Sequence, residues 1–247
     1  MNISDLFEAR LREIDAYLAL VDAIERQLQA GQAAFGGMPV TPEQQRILNA
    51  SGYLQLYNLV EATVTWCVDE LCLAVKGNGQ RPARDLTPQV RREWIRVTAQ
   101  THAELNRGHR LDATVLACEH IVAGTPISTW TLDTAGGGNW DDAEIYELAK
   151  RLGLTLSLPR EVQERANRKV RNDKAALGLV KELRNRLAHG DLSFAECGGE
   201  VTVADLKELR DVIAEYLKAV IRAFERFIEG AVFLVEGRRP AKAAAAP

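Results

Sequence analysis

The residues best suited to chemistry lie close together near position 190. Arg184 and His189 are separated by four residues, and Asn185 directly follows the arginine. Arginine offers a planar fork of donors that matches phosphate oxygens, and histidine exchanges protons near neutral pH. This combination is suited to cleaving a phosphodiester bond, although such a spacing also arises by chance.

In a helix that ends at His189, apolar and polar residues would lie on opposite faces. At about 100° per residue, an apolar stripe for packing is predicted to contain Ala176, Leu179, Val180, Leu183 and Leu187. The opposite face, here called the far face, contains Lys174, Gly178, Lys181, Asn185, Ala188 and His189, with Arg184 at its edge. Because small residues let another backbone approach closely, we predict that the far face is a contact surface between two copies of the chain.

The segment around this pair resembles a known signature. Residues 181–194, with Arg184, a polar residue and then His189, are similar to the motif of HEPN domains (higher eukaryotes and prokaryotes nucleotide-binding). Residues 56–62, 138–141 and 151–154 resemble a bacterial branch of HEPN-like nucleases found near defence and toxin–antitoxin loci. The resemblance spans roughly residues 5 to 235.

The resemblance implies a metal-independent endoribonuclease that acts as a homodimer, serves as a toxin or defence effector, and needs no cofactor. His189 would handle the proton of the ribose 2′-hydroxyl, and Arg184 would stabilise charge on the phosphoryl oxygens. Asn185 would hold a phosphate oxygen or orient the imidazole. The implied partners are an RNA substrate, a second copy of the chain, and an antitoxin or neighbouring defence protein.

A cluster of cations precedes His189. Residues 160–189 contain nine Arg or Lys and four acids, whereas the whole chain has a net charge of −3. This distribution favours a localised contact with a polyanion, and we expect Lys181, Arg171 and Lys174 to bind substrate. A solvated helix face is the alternative interpretation.

Asn58 and Glu61 are polar residues three apart on an otherwise apolar helix. We expect them to contact and position the catalytic residues without touching the substrate. An unpaired buried glutamate would be costly, so Glu61 either orients Arg184 or merely neutralises any buried arginine.

The sequence also allows other functions. The chain is alternatively a catalytically inactive HEPN module that binds a nucleotide or a partner protein. His189 is alternatively a helix-terminal residue that bonds the last carbonyls of its own helix.

The composition predicts an all-α protein. The 247 residues include few aromatic side chains (6%) and only 8 prolines. We expect an antiparallel helical bundle forming one domain over residues 1–240, with an irregular or short-helix insert at about 125–158 and a flexible tail at 241–247. The cysteines lack metal-site spacing and are predicted to be buried thiols. Because no long apolar run occurs, we expect a cytoplasmic protein without a membrane partner.

Apolar spacing and capping signals locate the helices. The predicted helices cover residues 4–30, 41–75, 89–106, 112–123, 141–152, 157–189 and 202–235. The second begins at a capping box formed by Thr41 and Gln44. Residues 160–189 of the sixth helix are the expected dimer contact, and Trp130 and Trp140 are expected to anchor the insert.

Overall fold

Helices account for nearly all the regular structure. A computed structural model describes residues 2–31, 34–35, 37–99, 106–134 and 139–240. In these ranges the α-helices are α1 (Ile3–Gln29), α2 (Pro42–Lys76), α3 (Pro88–Thr98), α4 (Arg107–Ala123), α5 (Asp142–Leu152), α6 (Arg160–Asn167), α7 (Ala176–His189), α8 (Phe194–Gly198) and α9 (Val203–Glu229). Strands β1 (Ala34–Phe35) and β2 (Met38–Pro39) form a short antiparallel hairpin. The prediction of an all-α fold is confirmed.

The chain divides into two compact units. The first unit comprises Met1–Thr63, Asn139–Asp142 and Leu158–Ala219, and the second comprises Val64–Gly138, Ala143–Ser157 and Val220–Pro247. The predicted single domain over residues 1–240 remains a prediction. The expected flexible tail at 241–247 lies outside the described residues.

In the first unit, α1 runs antiparallel to α9 and packs against α2. Ion pairs join Glu8 to Lys218 and Asp22 to Lys207, so the numbering rises along one helix as it falls along the other. The Tyr17 hydroxyl donates to the carbonyl of Leu48 in α2. The buried residues of α1 repeat at helical spacing and are Ile3, Phe7, Leu11, Ile14, Leu18, Val21 and Ile24.

The predicted start of the second helix is confirmed. The Gln44 amide donates to the Thr41 hydroxyl at 3.2 Å, and the Thr41 amide donates to the Gln44 side chain at 2.9 Å. This reciprocal pair satisfies two backbone donors that a helix start would otherwise leave open. The 35-residue α2 therefore begins at Pro42.

The prediction of one long helix over 157–189 is wrong. That stretch forms α6 and α7, which are separated by a tight turn in which Asn172 and Asp173 have φ angles of +50° and +57°. The Lys174 amide donates to the Arg171 carbonyl at 2.9 Å. Asn and Asp tolerate this left-handed conformation better than most residues, and the turn interrupts the basic segment before the motif helix begins.

The predicted boundary between the third and fourth helices is also wrong. Helix α3 ends at Thr98, and α4 begins at Arg107, five residues before the expected start. The Asn106 side chain accepts a hydrogen bond from the His109 amide at 3.0 Å. Asn106 is therefore the N-cap of α4, and Gly108 lies in its first turn instead of ending a helix.

Two elements near the C-terminal end differ from expectation. The last helix ends at Glu229, before its predicted end at Val235, and Ala231 follows with a φ of +45°. Helix α8 was not predicted, although Ser193 and Glu196 form its capping box. Its Gly198 touches α2, because a Cβ there would lie 1.8 Å from the Arg46 carbonyl oxygen.

The insert is irregular over residues 124–134, as predicted, and its residues 135–138 lie outside the described ranges. A bridge between Pro126 and Pro82 joins it to another part of the second unit. Trp130 in the second unit and Trp140 in the first are both buried, as expected of anchors. Three cysteines are buried as predicted, namely Cys67, Cys72 and Cys197. The prediction is wrong for Cys118, which is exposed on α4.

A buried carboxylate holds part of the second unit together. Glu93 on α3 is 1% exposed, and its carboxylate pairs with Arg151 on α5 and, at 3.4 Å, with Arg96. Arg151 also donates to the Asp133 carbonyl at 2.8 Å. A charge removed from water is tolerated only when it is paired in this way.

We therefore predict that Arg151→Ala lowers the free energy of unfolding by about 3 kcal/mol, because Glu93 then loses its closest partner. Lys150→Ala is the matched control: the neighbouring lysine forms an exposed pair with Glu147 and should cost less than about 1 kcal/mol. Urea denaturation followed by circular dichroism measures both. Equal losses in the two variants would contradict a special role for the buried pair.

Candidate functional site

Helix α7 positions the motif residues through its buried side. The predicted apolar stripe is confirmed, since Leu179, Val180, Leu183 and Leu187 are all buried. Gly190 follows His189 with a φ of +77°, and its amide donates to carbonyls of the last helical turn. This left-handed C-cap suits glycine and ends the helix directly after the histidine.

The guanidinium of Arg184 is held on three sides. One terminal nitrogen donates to the Asn185 side-chain oxygen at 2.9 Å, and the other lies 3.5 Å from the Glu61 carboxylate. Its central carbon lies 4.6 Å from the centre of the Tyr57 ring, a cation–π distance. The Arg184 side chain is still 32% exposed, so the cation is fixed and remains accessible.

Tyr57 supports this arrangement as a neutral side chain. Burial raises the pKa of its phenol above the ordinary value. Its oxygen accepts a hydrogen bond from the Trp140 amide at 3.1 Å. The same side chain therefore supports Arg184 with its ring and binds the segment Asn139–Asp142 with its hydroxyl.

The segment Asn139–Asp142 covers part of the far face. The Asn185 side-chain nitrogen donates to the Asn139 side-chain oxygen at 3.0 Å, and the Lys181 ammonium lies 2.7 Å from the Asp141 carboxylate. A Cβ built at Gly178 would meet nothing within 4 Å. The far face is thus occupied by the chain itself around Lys181 and Asn185 and is open around Gly178.

His189 is the last residue of α7 and is exposed. Its imidazole makes no hydrogen bond or ion pair with the described part of the chain, including the last carbonyls of its own helix. The alternative of a helix-terminal capping histidine therefore finds no support in the geometry. An exposed imidazole is free to meet a substrate.

The three residues expected to bind substrate are all paired within the first unit. Lys181 pairs with Asp141, Lys174 lies 2.9 Å from Glu182, and Arg171 lies 3.5 Å from Glu200. Arg171 also lies over the Tyr53 ring, 5.7 Å from its centre. A phosphate would have to compete with these carboxylates, and a binding role for the three cations stays a prediction.

The two supporting residues have different positions. Glu61 contacts Arg184, as one of the two interpretations of its sequence position required. Asn58 is exposed and has no hydrogen bond to any described residue. Tyr57, Asn139 and Asp141 were missed as individual site residues, although all three lie in segments that carry the HEPN resemblance.

The HEPN_MAE_28990-like HEPN family matches residues 1–232. The chain belongs to this HEPN family. No curated protein and no solved structure was found to match it. Membership supports a HEPN-type nuclease or nucleotide-binding module.

Among the helices in the described ranges, none combines the length and apolar character needed to cross a bilayer. The same ranges contain no group of three or more His, Cys, Asp or Glu side chains arranged to hold a metal ion.

We predict that Tyr57→Phe in this HEPN protein lowers the free energy of unfolding by about 1 kcal/mol, because the Trp140 amide loses its acceptor while the ring under Arg184 stays. Tyr146→Phe is the matched control, since Tyr146 is exposed and its hydroxyl bonds no described residue. Chemical denaturation measures the difference. Identical stability of the two variants would show that the Tyr57 hydroxyl does not hold the Asn139–Asp142 segment.

Proposed function

We propose that this HEPN protein is an endoribonuclease that cleaves RNA without a metal ion, with Arg184 and His189 as its catalytic residues and Asn185 orienting the arginine. One observation carries the proposal. Arg184 is immobilised by Glu61, Tyr57 and Asn185 while a third of it stays exposed, and the exposed His189 follows a little more than one turn later. A fixed cation and a free proton carrier near the end of one helix are the kinds of group that phosphoryl transfer uses.

The proposed reaction is an internal transfer. His189 removes the proton of a ribose 2′-hydroxyl, whose oxygen attacks the adjacent phosphorus as the bond to the 5′-oxygen breaks. A protonated imidazole then gives a proton to the leaving 5′-oxygen. Arg184 stabilises the charge that grows on the phosphoryl oxygens. The products are a 2′,3′-cyclic phosphate and a 5′-hydroxyl, and DNA, which lacks the nucleophile, is not cut.

We propose that two copies of the chain form the complete site. A single imidazole does not easily serve both sides of an in-line displacement, whereas two copies of His189 supply a base and an acid. The open surface at Gly178 and the exposed Ala188 on the far face support a contact between copies. The Asn139–Asp142 segment would then lie at the edge of that contact.

The bacterial branch that the sequence resembles supports a proposal for the biological role. We propose a toxin or defence effector that acts in the cytoplasm. A ribonuclease of this kind would have to be inhibited in its host. We propose that an antitoxin or a neighbouring defence protein is the inhibiting partner.

The second candidate is a catalytically inactive HEPN module that binds a nucleotide or a partner protein. The pairing of Lys181, Lys174 and Arg171 with carboxylates favours it, because these cations are not free for an RNA backbone. The two candidates differ in whether purified protein cuts RNA.

We predict that the purified protein degrades single-stranded RNA in the presence of EDTA, and that His189→Ala reduces the rate at least about 100-fold through loss of proton transfer. Gel assays of labelled RNA, with mass spectrometry of the product ends, measure rate and chemistry. His109→Ala is the matched control, because His109 is also an exposed helical histidine. Its activity should equal that of the wild type.

Melting temperature separates loss of activity from loss of fold. His189→Ala removes an exposed side chain without described partners and should melt with the wild type. Undiminished cleavage by that variant would point to a contaminating nuclease. Wild-type protein without cleavage would favour the binding module.

We predict that Gly178→Arg converts a dimer into a monomer and abolishes cleavage without lowering the melting temperature. The protomer has open space at this position, whereas a close contact between copies would not accept an arginine. Gly178→Ala is the control and should stay dimeric, because it adds a single methyl group. Light scattering gives the mass, and a wild-type monomer that still cleaves RNA would contradict the shared site.

A further inference from the structure

A groove between α1 and α2 adjoins the motif site. Its volume is about 410 Å³, within the general range of small-molecule pockets, which begins near 300 Å³. Glu61 lines the groove and also pairs with Arg184. Both the groove and Arg184 belong to the first unit. Because Glu61 contacts both, the groove and the motif site are adjacent on the surface of that unit.

The groove has an apolar base and a polar rim. Ile14 and Leu59, which line it, are buried hydrophobic residues. Gln55 and Asn58 contribute side-chain amides that bond no described residue. A flat ring with apolar faces and a polar edge fits such a lining. Its faces would be buried against the apolar base, and its edge would form hydrogen bonds with the amides.

The charge of the groove argues against a phosphate as its occupant. One cation, Arg10, lines it together with the carboxylates of Glu13 and Glu61. Arg10 already pairs with Glu13 at 2.7 Å. The lining is therefore richer in acceptors than in free cations. Carboxylates and side-chain carbonyls accept hydrogen bonds from the amino group of a nucleobase.

We propose that the α1–α2 groove binds a nucleobase of single-stranded RNA and selects bases that carry an exocyclic amino group. Gln55 and Asn58 bond the edge of the base, and Glu61 accepts from its amino group while it holds Arg184. The base belongs to a nucleotide next to the scissile phosphate, a position that rests on the proposed function. Single-stranded RNA presents its base edges for this kind of contact.

Binding of non-cleavable RNA tests the groove separately from catalysis. The probes are two fully 2′-O-methylated pentanucleotides with a uracil background, one with a central adenine and one with a central purine that lacks the amino group. We expect calorimetry to show about tenfold tighter binding of the adenine probe to the wild-type protein. Gln55→Ala and Asn58→Ala should each reduce that preference at least about threefold.

The matched control is Gln27→Ala, which removes an exposed glutamine of α1 outside the groove lining and should keep the full preference. His189→Ala should also keep it, because base binding precedes proton transfer. Equal affinity for the two probes, or a preference unaffected by both groove variants, would overturn the proposal. Selective binding by a protein that cuts no RNA would support base binding in the groove and contradict the proposed nuclease activity. Cleavage of RNA without any base preference would support the nuclease activity and contradict base binding in the groove.

Discussion

The contact of Arg184 with the face of Tyr57 organises the surroundings of the motif. An arginine near a helix end has many rotamers, and holding one of them costs side-chain entropy. The ring, the Glu61 carboxylate and the Asn185 oxygen together restrict the guanidinium to one position. Electrostatic stabilisation of a reaction is strongest when the charge is already in place, and the proposed reaction would use an arginine fixed in this way.

The same contact links three segments that are distant in sequence. Tyr57 lies in α2, Arg184 in α7, and the Tyr57 hydroxyl accepts from Trp140 just before α5. Buried leucines fix the rotation of α7 about its axis, so Arg184 reaches Tyr57 while His189 stays at the exposed end. Neighbouring cations of α7 also form ion pairs within the chain, as Lys181 does with Asp141.

Local signals predicted most helices correctly. The apolar period of α1 and the capping box at Thr41 depend on residues within a few positions of each other, and both were recognised. Two of the errors arose where local tendencies conflict. The segment before α7 has helix-forming composition, yet Asn172 and Asp173 turn the chain. Gly108 resembles a helix terminator, yet Asn106 caps a helix that contains it.

By itself, the sequence determined the all-α class, the end at His189 of the helix that carries Arg184, and the HEPN resemblance that the family match confirms. These properties depend on spacing along the chain. The tertiary structure alone decided which side chains surround Arg184 and that Lys181, Lys174 and Arg171 are paired. Glu61 is 123 residues from Arg184, and such a contact arises only when packing of the apolar stripes sets the rotation and depth of each helix.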